Sequence, residues 1–194
     1  YSWIGAVMPA VWLGARPVFC DIDPNTLTAD PADIERRITN RTRAISVVHL
    51  WGNPADMEGI LEISTTYGIP VTEDCSHAHG AEWDGIKVGA VGDVGCFSFA
   101  GEGQGAMSVG EGGMIVTDSQ EYYERILICG HLNRREMVEE FTRPEHRALD
   151  KTCLGIKFRS HALAMGLGQE QLRKVDEVNR MRRKVLAELS AIVE

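Results

Sequence analysis

Three short apolar runs and two amphipathic runs alternate between residues 17 and 74, and this alternation narrows the fold more than any other feature. PVFCDID (17–23) ends in acids, as a buried strand does at its carboxyl end. PADIERRIT (31–39) puts proline in a first helical turn, with Ile34 and Ile38 four apart. RAISVVHLWG (43–52) is a second β-branched run stopped by glycine. DMEGILEISTTYG (56–68) carries Met57, Ile60, Leu61 and Ser64 on one side, with Gly68 as its stop, and IPVTED (69–74) is a third strand. The order β-α-β-α-β with short connections predicts an α/β fold with a parallel sheet and right-handed crossovers.

CFSFA (96–100) and GMIVTD (113–118) follow with no long helix between them, so they are expected to join the sheet in a mixed arrangement. SQEYYERILICGH (119–131) predicts a helix capped by serine, and 132–153 reads as a polar loop. One long helix is expected over 161–193, with Leu172, Val175, Val178 and Met181 as packing positions.

With 194 residues, 44% of them hydrophobic, the chain can bury one sizeable core. A formal charge of −8 offers no basic stripe for phosphates, which argues against a nucleic-acid partner. The basic clusters around Arg134 and Arg182 read as solvated helix faces. No apolar run approaches the ~18 residues of a membrane span. Five scattered cysteines, Cys20, Cys75, Cys96, Cys129 and Cys153, form no C-x-x-C pair. They suggest neither a zinc site nor a disulfide framework, and a reducing cytoplasm is the expected compartment.

Ligands of open α/β sheets bind at the carboxyl ends of strands. Chemistry is therefore expected among Asp21, Asp23, His49, Glu73, Asp74, His77, His79, Ser98 and the glycine loop 101–112. TEDCSHAHGAEWDG (72–85) has two readings. Its acids and histidines could ligate a metal, although the spacing matches no zinc pattern, or Asp74 caps the next turn and the histidines are polar core residues. The loop GEGQGAMSVGEGG (101–113) has a G-x-G-x-x-A start with no helix signal after it, so it reads as a loop of little fixed conformation rather than a nucleotide cradle.

Taken in order, PVFCDIDPNTLTADPADIERRITNRTRAISVVHLWGNPADM, IPVTEDCSHAHGAEWDGIKVGAVGDVGCFSF, GEGGMIVTD and GIKFRSHALAMGLGQEQLRKVDE resemble the DegT/DnrJ/StrS family of sugar aminotransferases. These are pyridoxal phosphate (PLP) enzymes of the aspartate-aminotransferase fold, fold type I. The resemblance implies a cofactor-binding large domain over 1–160, a long helix over 161–194 leading to a small domain, and about twice this length for relatives. It implies PLP or pyridoxamine phosphate as cofactor, a keto sugar (nucleotide-linked) as substrate, and glutamate or glutamine as amino donor. A homodimer, or a heterodimer with a homologue, is implied too, because the family completes its sites across a two-fold interface.

The same resemblance implies roles for matching residues. Asp74 would pair with the pyridine nitrogen and keep it protonated, so that the ring acts as an electron sink. His77 stands near the phenolic oxygen, where many relatives carry glutamine. Ser98 would donate to the phosphate. Trp3 would stack on the ring, its other reading being core filling.

The family's lysine is missing. Counting back from GEGG places it at Gly105, and none of Lys87, Lys151, Lys157, Lys174 and Lys184 falls in that loop. That amine ordinarily holds the cofactor and carries a proton during transamination. His77 and His79 are the local candidate bases. Gly130, before His131, takes the place of an asparagine that relatives direct at the neighbouring subunit's phosphate. Three readings stay open: an aminotransferase, a lysine-independent dehydratase-like enzyme, and a non-catalytic scaffold partner.

Overall fold

The computed structural model describes residues 1–100, 105–130, 141–149 and 155–193. Its elements in chain order are α1 (Met8–Trp12), α2 (Pro31–Arg37), β1 (Ile45–Val48), α3 (Met57–Tyr67), β2 (Val71–Asp74), β3 (Glu82–Trp83), β4 (Ile86–Lys87), β5 (Val94–Ser98), β6 (Gly113–Val116), α4 (Gln120–Gly130), α5 (Pro144–Leu149), α6 (Ala162–Leu172) and α7 (Val175–Val193). Four strands form the main sheet in the order β1-β2-β5-β6. The first three run parallel and β6 is antiparallel to β5, which is the mixed arrangement the sequence implies.

Local chemistry accounts for the helices. Asp30 caps α2 through the Ala32 amide, with Pro31 at the first helical position, and Asp56 caps α3 through the Gly59 amide. Gly68 ends α3 at φ 63°, a conformation glycine adopts without a Cβ penalty. Ser119 Oγ accepts the Tyr122 amide at the start of α4, as its sequence suggests.

The main core lies between the sheet and helices α2 and α3. Ile45 and Val47 of β1 and Val71 of β2 pack there on Ile34, Met57, Ile60 and Ile63. Alternation along β1 and β2 sends one side chain in two into this layer. Between β2 and β5 a small hairpin, β3–β4, turns through Asp84 and Gly85 at φ 47° and 77°, the left-handed pair that Asp-Gly favours.

Two expected elements differ. The run 17–23 is not a sheet strand; it contributes only a bridge between Ile22 and Ala29, and Val18 and Phe19 are exposed, with no strand among the described residues to cover them. The single helix over 161–193 is two, broken at Arg173 and Lys174. The break turns Leu172 and Met181 outward, while half-buried Val175 packs near Phe99, Met107 and Val109, so only part of the expected packing row forms. Within the stretch read as a loop, Pro144–Leu149 is helical. His131, Lys151 and Cys153 lie outside the described residues.

Candidate functional site

Neighbouring residues of β2 face opposite ways and have opposite fates. Glu73 points into the protein beside His49, and both are fully buried. Each Glu73 oxygen accepts two hydrogen bonds: Oε2 from His49 Nε2 (2.9 Å) and the Gly89 amide (2.8 Å), Oε1 from the amides of Val91 (2.9 Å) and Gly92 (2.7 Å). His49 Nδ1 accepts the Ala55 amide at 3.0 Å, so its proton sits on Nε2. Burial alone would raise the Glu73 carboxyl, but the His49 bond and the Gly89 and Gly92 amides outweigh it and hold the carboxyl below its ordinary value.

Gly95 makes this hub possible. It pairs with Glu73 in register, and a Cβ on it would lie 2.3 Å from the Gly89 carbonyl oxygen. The 89–92 loop therefore folds directly across the strand, and its amides reach the carboxylate. His49, Glu73 and Cys75 do cluster closely enough to be compared with a metal site. The Glu73 oxygens and both His49 nitrogens are already committed, however, so the set has no free donor beyond the buried Cys75 thiol, which burial pushes well above its usual range. His49 and Glu73, placed by their sequence among the candidates for chemistry, thus belong to the architecture. Asp21 and Asp23 likewise build a turn: the Asp21 amide donates to Asp33, and Asp23 accepts the Asn25 amide.

Asp74 faces the other way. It pairs in register with Cys96, and Ser98 lies two residues further along β5, so Asp74 and Ser98 share one face at the carboxyl ends of adjacent parallel strands. Asp74 Oδ1 caps the next turn, accepting Ser76 N (3.0 Å) and Ser76 Oγ (2.6 Å), while no described residue donates to Oδ2. The capping reading of Asp74 therefore holds without using up the carboxylate. Ser98 Oγ accepts only a long bond from the Ala100 amide (3.3 Å), which leaves its hydroxyl proton unassigned.

His77 is half-buried and accepts the Trp51 amide on Nδ1 at 3.4 Å, which leaves Nε2–H to donate. Trp51 holds that position from the turn after β1, in the left-handed region at φ 54°. Trp3 is 80% exposed, and no hydrogen bond or ring contact joins it to Asp74, His77 or Ser98. Tyr1, not Trp3, packs on Trp51, with ring centroids 5.7 Å apart.

The loop position expected to hold lysine does come to this site. Gly105 lies against the 76–79 turn: a Cβ on it would stand 2.7 Å from His79 Cε1 and Nδ1 and 3.2 Å from the Ser76 carbonyl oxygen. Among the described lysines, Lys87 is tied to Glu82 (2.8 Å) and the Gly80 carbonyl (3.2 Å), and Lys157, Lys174 and Lys184 are exposed. Helix α7 closes this side: Asn179 donates to the His79 carbonyl (2.7 Å), and Arg182 donates to the Gly105 carbonyl (2.9 Å). Arg182, read from sequence as a solvated charge, thus has a structural contact that no local pattern signals.

Comparison with known proteins adds to this geometry. The model of the DegT/DnrJ/EryC1/StrS aminotransferase family matches residues 1–194. L-glutamine:2-deoxy-scyllo-inosose aminotransferase from Streptomyces fradiae is 35% identical, over 99% of this chain and 45% of its own length. GDP-perosamine synthase from Escherichia coli O157:H7 is 34% identical, over 95% of this chain and 48% of its own. Among solved structures, E. coli GDP-4-keto-6-deoxy-D-mannose-3-dehydratase with bound hydrated PLP superposes with a TM-score of 0.80 at 30% identity, covering 95% of this chain and 49% of that one. The chain spans about half the length of the curated relatives it matches.

Proposed function

This chain belongs to the DegT/DnrJ/EryC1/StrS aminotransferase family, and from that premise we propose that it binds PLP or pyridoxamine phosphate in the Asp74–Ser98 crevice and serves in making an amino sugar from a keto sugar. The observation that carries this reading is the pairing of a half-committed carboxylate and an available hydroxyl on one face of adjacent parallel strands. PLP, when bound, supplies an electron sink and a carrier for the amino group.

The chain's own residues each have a task. Asp74, with Oδ1 held by Ser76, would hold the pyridine nitrogen and keep it protonated. Ser98 would hold the phosphate through its hydroxyl, a charge-assisted bond suited to a strand end. His77, its ring orientation set by the Trp51 amide, would donate to the phenolic oxygen. Stacking on the ring by Trp3 is proposed from the family resemblance alone. The relatives named for L-glutamine and for a keto cyclitol or GDP-sugar support a keto-sugar substrate and a glutamine or glutamate donor. A dimer and a cytoplasmic setting complete the proposal; no helix of the described residues is long and apolar enough to cross a membrane.

A second reading rests on Gly105. With glycine at the lysine position, and with a dehydratase carrying hydrated PLP among the structural neighbours, lysine-independent chemistry in the same crevice is the specific alternative to transamination.

The test uses the full-length protein. PLP binding is followed by absorbance, and borohydride reduction is followed by intact mass and peptide mapping. Binding without a covalent lysine adduct is expected, and Asp74→Asn, which keeps the cap on Ser76, should weaken PLP about 10- to 100-fold. A lysine adduct would restore ordinary transamination. No PLP binding would favour a scaffold role, and unchanged affinity in the Asp74 variant would displace the crevice.

A further inference from the structure

Between residues 105 and 109 the chain has neither helix nor strand, yet one side chain engages both backbone groups of Ser108. Gln171, near the end of α6, donates from Nε2 to the Ser108 carbonyl (2.6 Å) and accepts the Ser108 amide on Oε1 (2.7 Å). A half-buried primary amide paired with a peptide group in this way fixes both its position and its direction. Helix α6 is seated closely enough to do this: a Cβ on its Gly168 would lie 3.2 Å from Val109 Cγ1.

Across the break at Arg173 and Lys174, α7 grips a second backbone segment. Asn179, also half-buried, donates to the His79 carbonyl at 2.7 Å. Gly80 admits it: this residue stands at φ 79°, and a Cβ on it would lie 2.9 Å from Asn179 Nδ2. The two gripped segments meet where Gly105 lies against the Ser76 carbonyl, and Arg182 holds the Gly105 carbonyl from α7. Ser76 is also the residue whose amide and hydroxyl hold Asp74 Oδ1. All these helix contacts are to backbone, so they set the path of the two segments rather than the state of any side chain there.

We propose that Gln171 and Asn179 are positioning residues for the Asp74–Ser98 crevice. From the two sides of the helix break they set 105–109 and the 76–80 turn against each other, and through Ser76 they set how the Asp74 carboxylate is presented. The consequence for PLP rests on the reading that this crevice binds it; the consequence for Ser76 does not.

The test uses the full-length protein. Asn179→Asp and Gln171→Glu keep the side chain's shape and remove its donor, and the alanine variants remove the donor without adding charge. Each is followed by urea unfolding, by hydrogen exchange of the Ser76 amide without cofactor, and by PLP binding in absorbance. All four variants should speed Ser76 exchange and weaken PLP, each by about 3- to 10-fold, at a urea midpoint near the native one. Native exchange at Ser76 in both variants of either residue removes that residue from the proposal, even where the midpoint falls. Faster Ser76 exchange with native PLP affinity, while Asp74→Asn still weakens PLP, overturns the step from Ser76 to the crevice. Absence of PLP binding, or unchanged affinity in Asp74→Asn, overturns the crevice reading instead, and Ser76 exchange then still decides whether the two residues position that turn.

Discussion

His49, one residue past β1, and His79, five residues past β2, are both buried, yet the first commits both ring nitrogens and the second commits neither. A third buried histidine follows the first pattern: His146 meets the buried Glu124 at 2.6 Å, and that carboxylate also accepts from Gln120 and Thr142. Burying a polar group is costly unless it is hydrogen-bonded, so satisfied histidines are what folding physics alone would select. His49 and His146 tie segments together. His79 departs from that pattern, since among the described residues neither of its ring nitrogens has a hydrogen-bond partner, and the contrast separates histidines that tie segments together from one that does not.

The contrast can be broken at its stronger end first. Glu73→Ala would strand four donors and is expected to cost roughly 3–5 kcal/mol, seen as a lower urea midpoint with an unchanged slope. A midpoint close to that of the native protein would show that the hub is ornamental. Gly95→Ala attacks the same hub sterically, because its Cβ would meet Gly89 backbone on the other side. A loss of about 1–3 kcal/mol is expected, and a neutral result would mean that the 89–92 loop can lift away without penalty.

The weaker end is His79→Leu. Replacing an unpaired imidazole by an apolar group of similar size should leave stability within about 1.5 kcal/mol of native, or raise it. Acid sharpens the distinction. His79 has a lowered folded-state value, so the unfolded chain binds a proton that the fold resists, and native stability should fall as pH drops below 6.5, by at most about 1.4 kcal/mol per pH unit. The leucine variant should lack that slope. Glu73, also lowered, contributes fully above 4.5 and loses its contribution only as pH falls through its folded-state value, so the two windows separate in one pH series. An identical acid slope in the leucine variant and the native protein would rule out His79 as its source.

Much of this arrangement is legible in the sequence because its causes are local. Periodicity exposes β1, β2 and α3, the proline at 31 and the stop Gly68 mark helix ends, and counting back from GEGG singles out Gly105, which the fold brings against the 76–79 turn. The run 17–23 misleads because an apolar stretch looks the same whether or not a neighbouring strand pairs with it. No proline or glycine announces the break at Arg173. The roles of Glu73 and His79 are harder still. In VTED the alternation does put Glu73 on the buried face, and the glycines of GIKVGAVGDVG hint at a close backbone approach, but which amides arrive is a tertiary fact. That Gly105 should meet His79 and no other residue depends on the fold closing over both.

Helix α7 sets a schedule for the site. Its bonds from Asn179 to His79 and from Arg182 to Gly105 join residues 100 and 77 positions apart, whereas His49 and Glu73 are separated by 24. Loop-closure entropy grows by about 0.6 kcal/mol for each doubling of length, so the longest of these contacts costs roughly 1.2 kcal/mol more to close than the hub does. High-separation contacts are also the slow ones. On a ribosome, the His49–Glu73 hub can form once the 89–92 loop has emerged, while the niche around His79 stays open until residue 182 is made. The hub is therefore assembled before the niche around His79 and Gly105, and a chain stalled between those points would own a core without that niche.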